Sequence, residues 1–277
     1  MPNPMQITFP CNRVSDDIRW QTNGLRHVRR NISDDKGDPA FGTIALPFAF
    51  KVSSNIYFAN LAAAVGSGPL RSTLADKLGF GHTPKPEWFD ADLPDIGFGQ
   101  GRMLASPLEM CRMAAGVANS GQMMKERFVT RIALPSEEAT SPPAGKSHRD
   151  LGPHDVGEGS GDKPPMSRTF APTVQSQAMT PETAATLRIL MRSVVTGGTA
   201  RGVFDSLSFA VAGKTGTAQN HQYDHEPHSW FIGFAPYTDH PHYAFACVVE
   251  NGGYGKTVAA VVCRDVLKKV GHSDRRQ

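Results

Sequence analysis

The sequence predicts an α+β fold in which helices cover an antiparallel sheet. Apolar residues recur at helical spacing in separate runs between Ser53 and Val195. The last third then switches to three β-rich runs, FAVAGKTGTAQ, HSWFIGFAPY and HYAFACVVEN, before one closing helix. Helices, then neighbouring strands, then a helix suggest a sheet covered by helices.

Taken in order, the first 40 residues mix charge, Asn, Gly and Pro (NGLRHVRRNISDDKGDP) without sustained periodicity and read as loop attached to something upstream. From Ser53, after an SSN start, Phe58, Leu61, Ala62 and Val65 share a helical stripe, and Gly66 stops the run. A second helix carries Pro69 in its first turn, Leu70, Leu74 and Leu78 on one face, and Gly79 beyond its end. In SPLEMCRMAAGVANSG, Ser106 is the expected N-cap and Glu109 its capping-box partner, with Met110, Met113, Ala114 and Val117 inward. Residues 135–172 are rich in Pro, Gly, Ser and charge and read as a long flexible loop within a single domain spanning 1–277. Thr180 and Pro181 then open a helix that buries Leu187, Leu190, Met191 and Val194. The three β-rich runs are separated by polar or Pro-bearing turns, which suits antiparallel neighbours. The closing helix, KTVAAVVCRDVLKKV, ends in basic residues that match the helix dipole.

Composition narrows the function classes. Of 277 residues, 39% are hydrophobic and 20% charged, an ordinary globular balance, and the net charge of +3 is too small and dispersed to indicate a nucleic-acid or lipid-surface partner. No apolar run approaches the roughly 18 residues of a spanning helix, and MPNPMQITFPCN lacks a signal pattern. Cys11, Cys111, Cys247 and Cys263 are scattered without a C-x-x-C pair and are expected to be free and mostly buried.

The chemistry starts at VAGKTGTAQN. A lysine inside an apolar strand costs several kcal/mol unless its charge is used or paired. A lone K-T-G is most often an edge-strand lysine in water, and a lone S-x-N, such as Ser53 to Asn55 in VSSNIYF, an ordinary helix cap. Here both occur, with IGFGQGRMLASPLEM and VVTGGTARGVF between them and HSWFIGFAP after them. In order and spacing these segments resemble the transpeptidase domain of class B penicillin-binding proteins, from about Phe41 to Val270. The resemblance implies the penicillin-binding/β-lactamase-like fold, a five-stranded antiparallel sheet with helices on both faces, here N-terminally incomplete. It also implies serine acyl transfer from D-Ala-D-Ala stems of peptidoglycan, inhibited by β-lactams. Lys214 would meet the substrate carboxylate with the hydroxyls of Thr215 and Thr217, Gly216 would let a peptide approach, and the Thr217 N–H would be half of an oxyanion hole. Ser53 would relay a proton between Lys214 and the leaving amine, and Asn55 would hold a substrate amide. No cofactor is expected. The family works outside the cytoplasmic membrane, tethered by an N-terminal segment, with elongation or division proteins as partners.

In the family the nucleophile is the serine of S-x-x-K, several tens of residues before S-x-N at the head of a buried helix. The match Ser33 to Lys36 in NISDDKGDP is only 20 residues from Ser53, no apolar helix follows it, and Asp34 and Asp35 would keep Lys36 protonated. The expectation is therefore that the nucleophile lies upstream and that this chain is inactive alone. ENGGYGKT resembles a phosphate loop, but Glu250 stands where that pattern needs Gly, so Gly252, Gly253 and Gly255 read as a turn. His221, His225 and His228 have metal-like spacing without a Cys companion, so no metal is expected. Two other readings compete: a non-catalytic relative that binds peptidoglycan or division proteins, and a β-lactamase, which lacks here an E-x-x-L-N segment for its deacylating base.

Overall fold

The computed structural model describes residues 3–133, 167–219 and 226–273. Its strands are β1 (Thr8–Cys11), β2 (Ile18–Thr22), β3 (Leu25–Arg29), β4 (Gly42–Ala45), β5 (Gln122–Met124), β6 (Arg131–Ala133), β7 (Ser167–Thr169), β8 (Val174–Gln177), β9 (Ala212–Ala218), β10 (His228–Ala235) and β11 (Tyr243–Val249). Its helices are α1 (Leu46–Val52), α2 (Asn55–Val65), α3 (Ser67–Ser72), α4 (Pro86–Ala91), α5 (Leu93–Gly97), α6 (Pro107–Ala118), α7 (Pro181–Gly197) and α8 (Ala259–Ser273). The chain divides into two compact units, Met1–Met123 with Gln175–Gln277, and Met124–Val174.

The first unit is built on an antiparallel sheet of order β11-β10-β9. Central β10 is buried along most of its length, as the continuous apolar run SWFIGFA requires when both sheet faces are covered. Alternation sorts its side chains. Phe231 and Ala235 join Phe204, Ala259, Cys263 and Leu267 on one face, while Phe234 joins Val117 and Met191 on the other. The three predicted strands and the helices on both faces are thus present, whereas the resemblance implies five strands and this sheet has three among the described residues. Ser229, fully buried on β10, donates to the Tyr254 carbonyl and accepts from the Ala259 N–H, both at 3.0 Å, which ties the sheet to the start of α8.

The N-terminal segment departs from the loop expectation. β1 pairs with β4, and β2 with β3 through a turn at Asn23 and Gly24, whose φ values of 51° and 80° are those of a tight hairpin. Burial alternates along β2, with Ile18, Trp20 and Thr22 inside and Arg19 and Gln21 outside. The outward Arg19 and Gln21 dilute the apolar signal, and the Asn-Gly dipeptide was the cue. Helix α1, also absent from the sequence reading, packs with α2 around Cys11, Ile18, Ile44, Ala49, Ile56 and Tyr57.

Other elements follow the sequence. Ser106 and Glu109 form the complete capping box of α6, and Thr180 caps α7 through the Thr183 N–H. The predicted helix at Pro69 becomes α3 plus a wider turn over Thr73–Lys77, ending before Gly79. The closing helix starts only at Ala259, because residues 255–258 form turns. Cys11 and Cys263 are buried, Cys111 and Cys247 half-buried, and all four are free. Among the described residues no helix is long and apolar enough to cross a membrane.

In the second unit β6 and β7 form a short antiparallel ribbon, and the Arg168 guanidinium lies 5.2 Å from the Phe170 ring. Most of the predicted 135–172 loop lies outside the described residues; Ser167–Thr169 within it is strand β7.

Candidate active site

Lys214 sits on β9, paired through Ile232 to the central strand. Its ammonium donates a hydrogen bond to the Ser53 hydroxyl and another, of 3.1 Å, to the Thr215 carbonyl. The Phe50 ring lies beneath it at 5.7 Å. Part of the residue stays exposed while the ammonium itself is enclosed, and that desolvation lowers its pKa to about 8. The K-T-G and S-x-N segments, 161 residues apart in sequence, therefore meet side chain to side chain.

Ser53 reaches Lys214 from an unusual backbone. It ends α1 in the left-handed region, φ 61° and ψ 43°, which a non-glycine residue seldom adopts. The expectation placed Ser53 at the head of the following helix; the N-cap is instead Ser54, whose buried hydroxyl accepts from the Tyr57 N–H. This left-handed residue separates α1 from α2, and its hydroxyl accepts from Lys214. Asn55 opens α2, and its amide donates to the Ser33 carbonyl at 3.0 Å.

Two further segments brace this arrangement. Thr199, from the VVTGGTARG run, shares a 2.6 Å hydrogen bond with Thr215 through their hydroxyls, and its N–H donates to the Lys51 carbonyl at 3.2 Å. A Cβ at Gly198 would lie 2.3 Å from that same carbonyl oxygen, so glycine lets the turn press against the end of α1. Gln100, from the GFGQG run, donates to the Thr217 carbonyl at 2.9 Å and accepts from the Gln219 N–H at 3.2 Å. Its carboxamide makes the two bonds a paired strand would make on the free side of β9. In an antiparallel ladder a residue's N–H and C=O point the same way, so the Thr217 N–H also faces that free side.

Thr217 turns its hydroxyl to the Gly255 N–H at 3.5 Å. A Cβ on Gly255 would fall 2.5 Å from the carbonyl oxygens of Gly216 and Trp230. The phosphate-loop lookalike is therefore a turn packed behind the K-T-G strand. Gly216 is held on the same terms, since a Cβ there would stand 3.0 Å from the Trp230 Cβ; the structure explains this glycine by packing within the fold. Thr199, Gln100 and Phe50 were not singled out by sequence reading, although the first two lie in segments that carry the resemblance.

The competing patterns resolve differently. Ser33 forms an isolated bridge with Val14, and Lys36 lies in a turn. A second S-x-x-K match, Ser160 to Lys163, follows S-x-N in sequence and lies outside the described residues. His221 and His225 also lie outside them, and His228 accepts from the Asn251 N–H at 3.0 Å. Among the described residues no group of three or more His, Cys, Asp or Glu could hold a metal ion.

Comparison with known proteins agrees with the geometry. The family model "Penicillin binding protein transpeptidase domain" matches residues 14–268. The peptidoglycan D,D-transpeptidase PbpA of Mycobacterium tuberculosis is 28% identical over 246 residues, covering 82% of this chain and 44% of that protein. MrdA of Haemophilus influenzae, also a peptidoglycan D,D-transpeptidase, is 25% identical over 197 residues, covering 66% and 26%. The chain thus spans less than half the length of these relatives. Among solved structures, penicillin-binding protein A from M. tuberculosis as an imipenem acyl-enzyme complex superposes with a TM-score of 0.72 at 24% identity, covering 97% of this chain and 55% of that one. With a family match that runs through both halves of the site and nearly everything between them, the chain belongs to the penicillin-binding protein transpeptidase domain family.

Proposed function

We propose that this chain supplies two walls of a peptidoglycan D,D-transpeptidase site, which crosslinks stem peptides by acyl transfer through a serine. The observation that carries the reading is the Lys214–Ser53 hydrogen bond, which joins K-T-G to S-x-N around an enclosed cation. Lys214 and the paired hydroxyls of Thr215 and Thr199 receive the terminal carboxylate of a D-Ala-D-Ala stem. The attacking serine, from an S-x-x-K segment outside residues 1–277, gives its proton to the lysine of that motif and forms an ester with the penultimate D-Ala carbonyl, and the C–N bond to the terminal D-Ala breaks. The Thr217 N–H and the N–H of that serine hold the oxyanion. Ser53, whose hydroxyl already accepts the Lys214 hydrogen bond, passes a proton from Lys214 to the departing amine. The amine of a second stem then attacks the ester, its proton returning through Ser53 to Lys214, and the serine leaves with the proton held by the lysine of its own motif. Asn55 orients a substrate amide, exchanging its bond to Ser33.

The same reading implies acylation by β-lactams, as in the imipenem complex of the M. tuberculosis protein, and an elongation or division partner, as in the complex of Helicobacter pylori PBP2 with MreC. It also implies work at the outer face of the cytoplasmic membrane, where the stems are. A fluorescent penicillin tests it. The chain of residues 1–277 should take no covalent label, while a longer protein that includes the S-x-x-K segment should, and Lys214→Ala should slow that labelling by roughly 100-fold or more. Labelling of the short chain that disappears with Ser33→Ala overturns the assignment of the nucleophile. An unlabelled longer protein overturns the acyltransferase itself.

A further inference from the structure

The stretch that mimics a nucleophile motif has a different use. Asp34 is only 9% exposed, and its carboxylate accepts from the Ser54 hydroxyl, 3.1 Å to each oxygen, and from the Ile56 N–H at 3.1 Å. The neighbouring Ser33 carbonyl takes the Asn55 amide at 3.0 Å. Two consecutive residues of NISDDK thereby hold three consecutive residues of SSNI. Burial raises the Asp34 carboxyl above its ordinary range, opposed by the N–H and hydroxyl donors and reinforced by nearby Asp35. A carboxyl in so desolvated a place is retained where its hydrogen bonds are needed.

What those bonds hold is the turn at Ser53. Left-handed backbone at a serine relaxes unless its surroundings over-determine it. On its N-terminal side the turn is anchored by the Ser53 and Ser54 N–H groups, both directed at the Ala49 carbonyl. On its C-terminal side the anchor is Asp34. Ser54 Oγ both donates to Asp34 and accepts from the Tyr57 N–H, so the carboxylate also orients the cap that starts α2. Loss of the carboxylate would free Ser54 to rotate and the turn to reopen, carrying Ser53 away from Lys214.

We propose that Asp34 is the positioning residue of the S-x-N segment: its buried carboxylate, through Ser54 and Ile56, locks the left-handed turn that aims Ser53 at Lys214. The proposal rests on the acyltransferase reading for its kinetic consequence but not for its structural one. Asp34 touches no reacting atom and acts through the turn that carries Ser53.

The kinetic test uses the longer protein that carries the S-x-x-K serine. Asp34→Asn should lower the limiting rate of penicillin acylation about 10- to 100-fold, as expected for misaligned groups, while the concentration for half-maximal rate changes by less than about threefold. Ser54→Ala, which removes one hydroxyl from the same lock and is the milder variant if Asp34→Asn folds poorly, should give a smaller loss. The double variant should lose little more than Asp34→Asn alone, because the two act as a unit. Trp20→Phe removes a hydrogen bond to the Asp90 carbonyl in a separate cluster; it should lower stability and leave the acylation rate of folded protein unchanged. Losses in Asp34→Asn that merely track its unfolded fraction, or that add to those of Ser54→Ala, overturn the proposal. If the longer protein takes no label, the acyltransferase reading fails and the structural arm still decides. In the 1–277 chain, the Ser53 Cα and Cβ chemical shifts should leave their left-handed values in Asp34→Asn, and unchanged shifts sink the lock.

Discussion

The charge on Lys214 decides what the site can do. Enclosure lowers its pKa from 10.5 to about 8, so between those values the unfolded chain holds a proton that the folded chain has released. Stability then rises with pH across that window. Below pH 8 both states are protonated and the folded state bears the whole desolvation cost, about 3 kcal/mol for a shift of this size. Lys214→Met should therefore be more stable than the parent by up to that amount at pH 7, with the advantage gone by pH 10.5. Urea unfolding of both proteins from pH 6 to 10.5 measures it, and subtracting the curves removes the cysteines and tyrosines that titrate in the same range. A flat difference would mean that the ammonium is not desolvated. A carboxylate seated beside Lys214 reverses the shift, which makes substrate binding and proton uptake one event above pH 8.

Whole elements hold that lysine in place by close backbone contact. The turn at Gly255 lies so near β9 and β10 that a Cβ would come within 2.5 Å of two carbonyl oxygens. Backbone atoms cannot swing aside as side-chain ends do, so Gly255→Ala should cost about 1–3 kcal/mol and slow acylation of the longer protein by displacing Thr217. Gly68→Ala, with nothing near its Cβ, is the comparison, and equal urea midpoints for the two would refute the contact. This turn also shows the reach of sequence reading. Glu250 excluded a phosphate loop, and Lys214, Ser53 and their neighbours were legible because motif order is a one-dimensional property. Gly255 behind the strand, Thr199 beside Thr215, Gln100 along the free side of β9 and Asp34 under Ser54 were not, because each depends on a long-range contact that no local pattern encodes. Helices α6 and α7 were legible from their caps, Ser106 and Thr180. The β2–β3 hairpin was missed because three inward residues among outward charges make a weak period, even with Asn23-Gly24 at its turn.

For the molecule as a whole, the question is how much of the chain the site needs. Both walls belong to the first unit, which the chain leaves after Met123 and rejoins at Gln175. Ala178 N–H donates to the Gly121 carbonyl at 2.9 Å, and the Gln177 amide to the Ser120 carbonyl at 2.9 Å. Among the described residues, none of the four apolar clusters that build the first unit takes a residue from 124–174. A segment attached at two adjacent points carries a closure entropy, and shortening it recovers about 0.6 kcal/mol for each halving of its length. Replacing Met124–Val174 with a short Gly-Ser turn should therefore leave a cooperative unfolding transition whose midpoint rises by no more than about 8 °C, since roughly three halvings of length are worth ~2 kcal/mol and each kcal/mol moves the midpoint by about 2–4 °C in a domain of this size. In the longer protein the same deletion should preserve penicillin labelling, since Lys214, Ser53, Thr199 and Gln100 keep every partner described here. Calorimetry and labelling give separate answers. A broad or vanished transition would mean that the second unit stabilises the first, and a sharp transition with no labelling would mean that it contributes to the site.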